Sequence, residues 1–438
     1  MRLHKMIGLG LLTGLAAAAP GQLLGGGGLP STVGNLTGGL LGTPGSQPNI
    51  VGGLQGPLAG VGDTLRTLAP ADLISLRRER LRALVRDNRR VLDVDDAGNP
   101  VRRDEIVAIN LSAEALARAR AAGFTLLRSD TIGGLDLAAT VLGPPKGRSA
   151  RKALRELQAL DPSGNYTLDP IYEPARAPLA PAGGAPAGNG GAMGPGAPIG
   201  LIDGGVGRHP AFDGVSIDQR GFAGDPRPSG HGTAVASLMV GRTAAFRGAA
   251  PGIPLLVADI YGGSPANGSA TAIVRAMGWL AERGARVVNI SLVGPANPLL
   301  AAGVKALQTR GIVVVAAVGN DGPAAPPQYP ASYAGVIAVT GVDAKGKPLI
   351  EAGKPLHLDF AAPGADIAGA VPGGGWEKLR GTSFAAPFVA ASLARLSYGD
   401  AAGAVAALSA AARPAKGAVG RGIVCGDCGT PPKMVGLK

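Results

Sequence analysis

From residue 199 onward the chain alternates short apolar runs with longer stretches of helical spacing. The runs Ile199–Ile202, Leu255–Tyr261, Val287–Ser291, Ile312–Ala317 and Val336–Val342 are rich in Val, Ile and Leu and show little polar alternation. Between and after them, residues 231–240, 269–283, 297–309 and 383–397 carry apolar residues at helical intervals. A strand buried on both faces has no reason to alternate, so this order predicts a parallel sheet with helices on both faces. The fold class is α/β.

Upstream the rhythm is different. Glu105–Leu111 reads as a strand, Ser112 caps a helix through Ala122 with Glu114 in its first turn, and Thr125–Ser129 and Leu135–Val141 read as strands. Ser149 starts a second helix to Ala159, and Tyr166–Tyr172 closes as a strand. The order β-α-β-β-α-β is that of a small ferredoxin-like α+β unit. Before it, Asp63–Arg90 is helix-like and holds Arg77, Arg78, Arg80, Arg82, Arg86, Arg89 and Arg90. It is expected to be a solvated helix with Ile74, Leu81, Leu84 and Val85 packed inward, a reading preferred over a patch for nucleic acid or an anionic membrane.

Composition adds two low-complexity segments. Residues 21–62 hold 15 glycines and no charge, and Pro174–Ala197 is almost entirely Pro, Ala and Gly, so both read as linkers. At the start, Arg2 and Lys5 precede an apolar stretch, Met6–Ala19, with small residues at Ala16 and Ala18. That is the layout of a secretory signal peptide cut after Ala18, and about 14 residues is short of the roughly 20 that span a bilayer. The expected organisation is a signal peptide over 1–18, a Gly-rich linker over 19–62 and the Arg-rich helix with the α+β unit over 63–173. A second linker over 174–197, the α/β domain over 198–400 and a tail over 401–438 follow. Export to the periplasm or the extracellular space is expected, with no stable membrane span.

The net charge of +12 is spread along the chain, with 21 of the 42 basic residues on each side of residue 194, and aromatics are only 3%. A nucleic-acid binder concentrates its charge and interleaves aromatics, so no nucleic-acid partner is expected. Two cysteines and four histidines leave no material for zinc arrays or iron–sulfur frameworks. Outside the cytosol Cys425 and Cys428 read as a short disulfide. A redox pair lacks its strand-to-helix context, and a metal needs two more ligands.

In open α/β sheets, reactive groups collect where strands end and helices begin. Asp203 follows a strand in Gly200-Leu201-Ile202-Asp203-Gly204-Gly205. His231 opens a helix in His231-Gly232-Thr233-Ala234, and Ser383 opens another in Gly381-Thr382-Ser383-Phe384-Ala385-Ala386-Pro387. A serine hydroxyl needs an imidazole to take its proton, and the imidazole needs a carboxylate to fix its tautomer. His4 lies in the export signal, His209 sits too close to Asp203 and caps a turn with Pro210, and His357 lies in a loop. His231 is left as the base.

The order Asp, His, Ser with these flanking words resembles the subtilisin-like serine peptidases, the subtilases, over about 199–398. The resemblance implies that Asp203 orients, His231 is general base and acid, and Ser383 is the nucleophile. It implies an oxyanion-hole donor at Asn320, in Ala316-Ala317-Val318-Gly319-Asn320-Asp321-Gly322, beside the backbone N–H of Ser383. Val287-Val288-Asn289-Ile290-Ser291-Leu292 resembles the strand whose edge accepts a substrate backbone, implying substrate-binding roles for Ser291, Leu292, Val293 and Gly294, with Gln328 nearby. Val293 replaces a usual Gly and Gln328 a usual small residue, which implies a narrower or more polar primary pocket. Gly241–Gly248 is short and lacks the Asn-rich loop that holds calcium in some relatives, so no metal is expected there and no cofactor is expected.

By the same resemblance the fold is a subtilisin-like parallel sheet preceded by a ferredoxin-like prosegment that assists folding, inhibits intramolecularly and is cut away. The expected function is an exported serine endopeptidase, made as a proenzyme and acting on protein or peptide substrates through an acyl-enzyme. The alternative, a non-catalytic protein-binding module on the same fold, is disfavoured by all four catalytic positions being filled.

Overall fold

A computed structural model describes residues 70–175, 185–187, 197–396 and 398–438. The expected signal peptide, the Gly-rich linker and most of the 174–197 linker lie outside these residues. Helix α1 (Pro70–Asp87) comes first among the described residues, followed by β1 (Leu92–Val94) and β2 (Pro100–Ile109). Then come α2 (Ala113–Ala121), β3 (Thr125–Ile132), β4 (Leu137–Gly143), α3 (Ala150–Leu160) and β5 (Asn165–Pro170). Ser112 and Ser149 cap α2 and α3 by accepting from Ala115 N and Lys152 N, as their sequence positions require. The strands form one antiparallel sheet in the order β1-β2-β4-β3, with β5 also on β2.

The larger part is the α/β layer structure. Its strands are β7 (Ile199–Asp203), β8 (Ile217–Gly221), β9 (Leu255–Asp259), β10 (Val287–Ile290), β12 (Val313–Ala317), β13 (Ile337–Val342) and β14 (Phe360–Pro363). They run in the order β14-β13-β12-β10-β7-β9-β8, and every pair is parallel. Successive residues feed opposite faces. Leu201, Val257, Val315 and Val339 pack in one cluster with α4 (Gly230–Val240) and α7 (Ala386–Ala394). Ile202, Leu256, Val288 and Ala316 pack in the other with α5 (Ala270–Glu282) and α6 (Pro298–Thr309). Burying each of the Leu, Ile and Val side chains contributes roughly 1.5–3 kcal/mol, and both faces need a helical cover.

The antiparallel sheet joins the second cluster through Val107, Ile109, Ile132, Ala139 and Val141, so its free face packs on α5 and α6. Polar groups fix the same contact. Asp169 Oδ1 accepts from Thr271 N at 3.0 Å in the first turn of α5. Asn297, the N-cap of α6, donates through Nδ2 to Thr167 Oγ1 at 3.0 Å and Leu168 O at 3.1 Å. Burial pushes the Asp169 carboxyl above its ordinary pKa, against the hydrogen bond from Thr271, and Glu105 adds to the rise.

Several elements differ from the expectation. β2 starts five residues before Glu105, and Ser383 lies in a 3-10 turn, Thr382–Phe384, ahead of α7. β10 is interior to the sheet. The free edge belongs to a separate two-residue strand, β11 (Leu292–Val293), paired antiparallel with β6 (Glu173–Pro174), which straddles the expected boundary after residue 173. β15 (Ala365–Ala370) and β16 (Trp376–Arg380) form a hairpin. In the expected tail, α8 (Ala401–Ala411) buries Ala404 and Leu408 in the first cluster, and Ala361 of β14 bonds Gly422 O and Val424 N. Cys425 and Cys428 are disulfide-bonded. Among the described residues no helix is long and apolar enough to cross a membrane.

Candidate active site

Asp203 ends β7 and is fully buried. Its Oδ1 accepts from Gly204 N at 2.7 Å, a bond made possible by the turn directly after the strand. His231 is the second residue of α4. Ser229 caps that helix by accepting from Gly232 N at 2.8 Å, and Thr233 Oγ1 donates to Ser229 O at 2.7 Å. Gly232 carries no Cβ because one would collide with Gly204 O, so the helix start sits directly on the strand end. The result is a buried pair: His231 Nδ1 lies 2.8 Å from Asp203 Oδ2 and 2.9 Å from Oδ1. With Nδ1–H donated to the carboxylate, the neutral imidazole presents Nε2 as an acceptor.

Ser383 is fully buried in the 382–384 turn, and the ring of its neighbour Phe384 lies 5.3 Å from that of His231. His231 Nε2 and Ser383 Oγ are both buried, and neither has a hydrogen-bond partner among the described residues. The turn is braced from two sides. Thr382 N donates to Asn320 Oδ1 at 3.0 Å, and Gly319 N donates to Thr382 Oγ1 at 3.1 Å. Behind it, Ser291 Oγ donates to Ser383 O at 2.8 Å and accepts from Asn289 Nδ2 at 2.9 Å. Because its oxygen is held by Thr382, the Asn320 amide turns its NH2 toward Gly381, whose φ is +144°. A Cβ on Gly381 would stand 2.8 Å from Asn320 Nδ2 and 3.6 Å from Ala175 O. The carbonyl of Ala175 and the amide of Asn320 therefore face the same small volume at Gly381, two residues before Ser383.

Ala175 arrives there as the end of an added strand. Its N donates to Ser291 O at 3.0 Å, and Glu173 and Pro174 pair with Val293 and Leu292. Tyr172 is fully buried, its OH donates to Pro295 O at 2.6 Å, and its ring packs where a Cβ on Gly294 would stand, 2.5 Å from Cδ1. Ser291, Leu292, Val293 and Gly294 thus share one strand edge. Gln328 joins them: Val293 Cγ1 and Gln328 Cγ lie 3.3 and 3.4 Å from the Cβ position of Gly319. His209 stands apart, capping Pro210–Phe212 by accepting from Ala211 N at 3.0 Å. His357 bonds Val336 O. Sequence reasoning missed Ala175 and Tyr172 as occupants of this edge, since the Pro/Ala/Gly composition that begins at Pro174 reads as linker. Among the described residues no group of three His, Cys, Asp or Glu is placed to hold a metal ion.

The family model of the subtilases matches residues 194–412, half of the chain. The chain belongs to the subtilase family. Subtilisin Savinase of Lederbergia lenta is 34% identical to this subtilase over 216 residues, 47% of this chain and 78% of that protein. An alkaline protease of Alkalihalobacillus alcalophilus is 33% identical over 216 residues, and there the subtilase spans 55% of the relative's length. Fervidolysin from Fervidobacterium pennivorans, a keratinolytic enzyme related to subtilisin, shares the fold at 20% identity with a TM-score of 0.62. That likeness covers 75% of this subtilase and 61% of fervidolysin, more of the chain than the family model matches.

Proposed function

We propose that this subtilase is a serine endopeptidase, exported and made as a proenzyme, with Ser383 as nucleophile, His231 as general base and acid, and Asp203 as the orienting carboxylate. The observation that carries the reading is the buried Asp203–His231 pair, with His231 Nε2 and Ser383 Oγ both buried and left without hydrogen-bond partners among the described residues. As Ser383 Oγ attacks a carbonyl carbon, Nε2 takes its proton and Asp203 stabilises the imidazolium. The oxyanion that forms accepts from Asn320 Nδ2 and Ser383 N–H. Collapse breaks the C–N bond, His231 returns the proton to the departing amine, and water then releases the acyl group by the same route. No cofactor enters any step.

The N-terminal unit acts as the prosegment. Its last strand lies on the edge formed by residues 291–294, in the manner of a substrate added antiparallel to an edge. The bond from Ala175 N to Ser291 O, whose hydroxyl braces Ser383, supports a first cut after Ala175, between Ala175 and Arg176. Val293 and Gln328 crowd Gly319 and narrow the pocket that receives the residue before the cut, in keeping with alanine there. A peptide library with large aromatics preferred at that position contradicts the narrow pocket.

A fluorophosphonate probe tests the chemistry. The processed wild type should be labelled and its N-terminal sequence should begin at Arg176, whereas Ser383→Ala should abolish labelling and leave that bond uncut. Labelling that survives Ser383→Ala overturns the assignment of the nucleophile.

A further inference from the structure

The arginines of α1 fall into two sets. Arg78, Arg82 and Arg86 are exposed, whereas Arg77 and Arg80 turn toward the α/β domain. Arg77 Nε lies 3.0 Å from Asp321 Oδ2, and Arg80 Nη2 lies 3.0 Å from Asp321 Oδ1. Both carboxylate oxygens of Asp321 are thereby taken by α1. Arg80 also reaches the prosegment strand, with Nε 3.3 Å from Glu173 Oε2. Asp321 directly follows Asn320 in the chain, and Glu173 is two residues before Ala175. One guanidinium therefore ties the strand in the cleft to the wall of the cleft.

Apolar contacts frame these ion pairs. Leu73 Cδ1 comes within 2.9 Å of the Cβ position of Gly322, and Leu81 lines the same hollow as Val293, Gln328 and Asp321. The side chains of Asp321 and Glu173 keep only 7% and 8% of their exposure, so losing their arginine partners would leave two nearly buried carboxylates uncompensated. Burial opposes the charge on Arg80, yet Glu173 and Asp321 outweigh it and hold the guanidinium above its ordinary pKa.

We infer that the face of the α/β domain around Asp321 and Gln328 is a docking surface for a basic amphipathic helix, filled in this chain by α1, and that α1 holds the Glu173–Ala175 strand in the cleft through contacts separate from those of the antiparallel sheet. The hold has two feet. The sheet grips α5 and α6, while α1 grips the segment beside Asn320. The consequence for activity rests on the reading of the cleft as a peptidase site: after a cut at Ala175, α1 delays departure of the severed strand. The docking itself does not depend on that reading.

Hydrogen exchange on the full chain carrying Ser383→Ala tests the docking without any turnover. Arg77→Gln with Arg80→Gln should speed exchange in residues 171–175 and 320–322 by at least about tenfold, since truncating one partner of a buried charge pair removes more than that factor. Exchange in 255–259 and 313–317 should stay unchanged. Asp321→Asn, which leaves α1 intact, should give the same local pattern. Arg77→Glu with Arg80→Glu should lose protection, and adding Asp321→Arg should restore part of it. The inference is overturned if 171–175 and 320–322 exchange within twofold of the parent in the Gln variant. It is equally overturned if Asp321→Asn has no local effect or the reversed charges rescue nothing.

Discussion

Ser291→Ala isolates the brace behind Ser383. Ser291 Oγ is the middle of a buried chain, accepting from Asn289 Nδ2 at 2.9 Å and donating to Ser383 O at 2.8 Å, with all three residues fully buried. Removing the hydroxyl leaves one amide donor and one carbonyl without partners, and each orphaned group costs about 1–3 kcal/mol. Asn289 Oδ1 already has no partner among the described residues, so the amide has no second bond to fall back on. The expected loss is about 2–6 kcal/mol. Asn289→Ala breaks only one bond and leaves the Ser291–Ser383 contact standing, so it should cost about half as much. The double variant should lose less than the two singles together, with a coupling of at least about 1 kcal/mol, because the groups share one network. The measurement is urea unfolding of the full chain in a Ser383→Ala background, followed by fluorescence of the chain's two tryptophans, Trp279 and Trp376. A Ser291→Ala loss below about 0.5 kcal/mol, or strict additivity in the cycle, refutes the reasoning.

Two further outcomes follow from the geometry. Under the proposed oxyanion role, Asn320→Ala should lower kcat by about 10²–10³ with little change in KM, the loss known for such a donor in a subtilisin, and steady-state kinetics on a peptide reporter reads it. Asp169 gives a pH signature. Its carboxyl is raised in the folded chain, so the native state binds the extra proton, and stability falls as pH climbs from the ordinary carboxylate range through the raised folded value. Asp169→Asn should flatten the pH dependence of unfolding over that window and leave it unchanged below; an equally steep profile in the variant assigns the dependence to another group.

The legibility of the chain followed burial. β7, β9, β10, β12 and β13 lie inside the parallel sheet, and their unbroken apolar runs announce it. β8 sits at the sheet edge with the sequence Ile-Asp-Gln-Arg-Gly, of which only Ile217 is buried, and offers no such run. β6 and β11 have two residues each, and pairing across more than a hundred residues leaves no local pattern. The contact of Asp203 with His231 was foreshadowed by motifs at a strand end and a helix start, whereas Ser383, expected to open a helix, lies in the 3-10 turn ahead of it. The contacts of Arg77 and Arg80 were not legible, since their partner Asp321 lies 241 residues beyond Arg80. In α1, Leu81 and Leu84 are buried as expected and Ile74 and Val85 half-buried, yet the inward face also admits two charges, because both find carboxylates there.

The outermost strand β14 does not end the hydrogen-bonded layer. Ala361 N donates to Gly422 O at 2.9 Å and Val424 N donates to Ala361 O at 2.8 Å, while Val419 and Ile423 pack on Val342 and Ala361. An open parallel rim of apolar residues is a template on which a second molecule can assemble. Residues 419–424 occupy that template from within the same molecule. A chain shortened ahead of them would leave the β14 rim open to a second molecule.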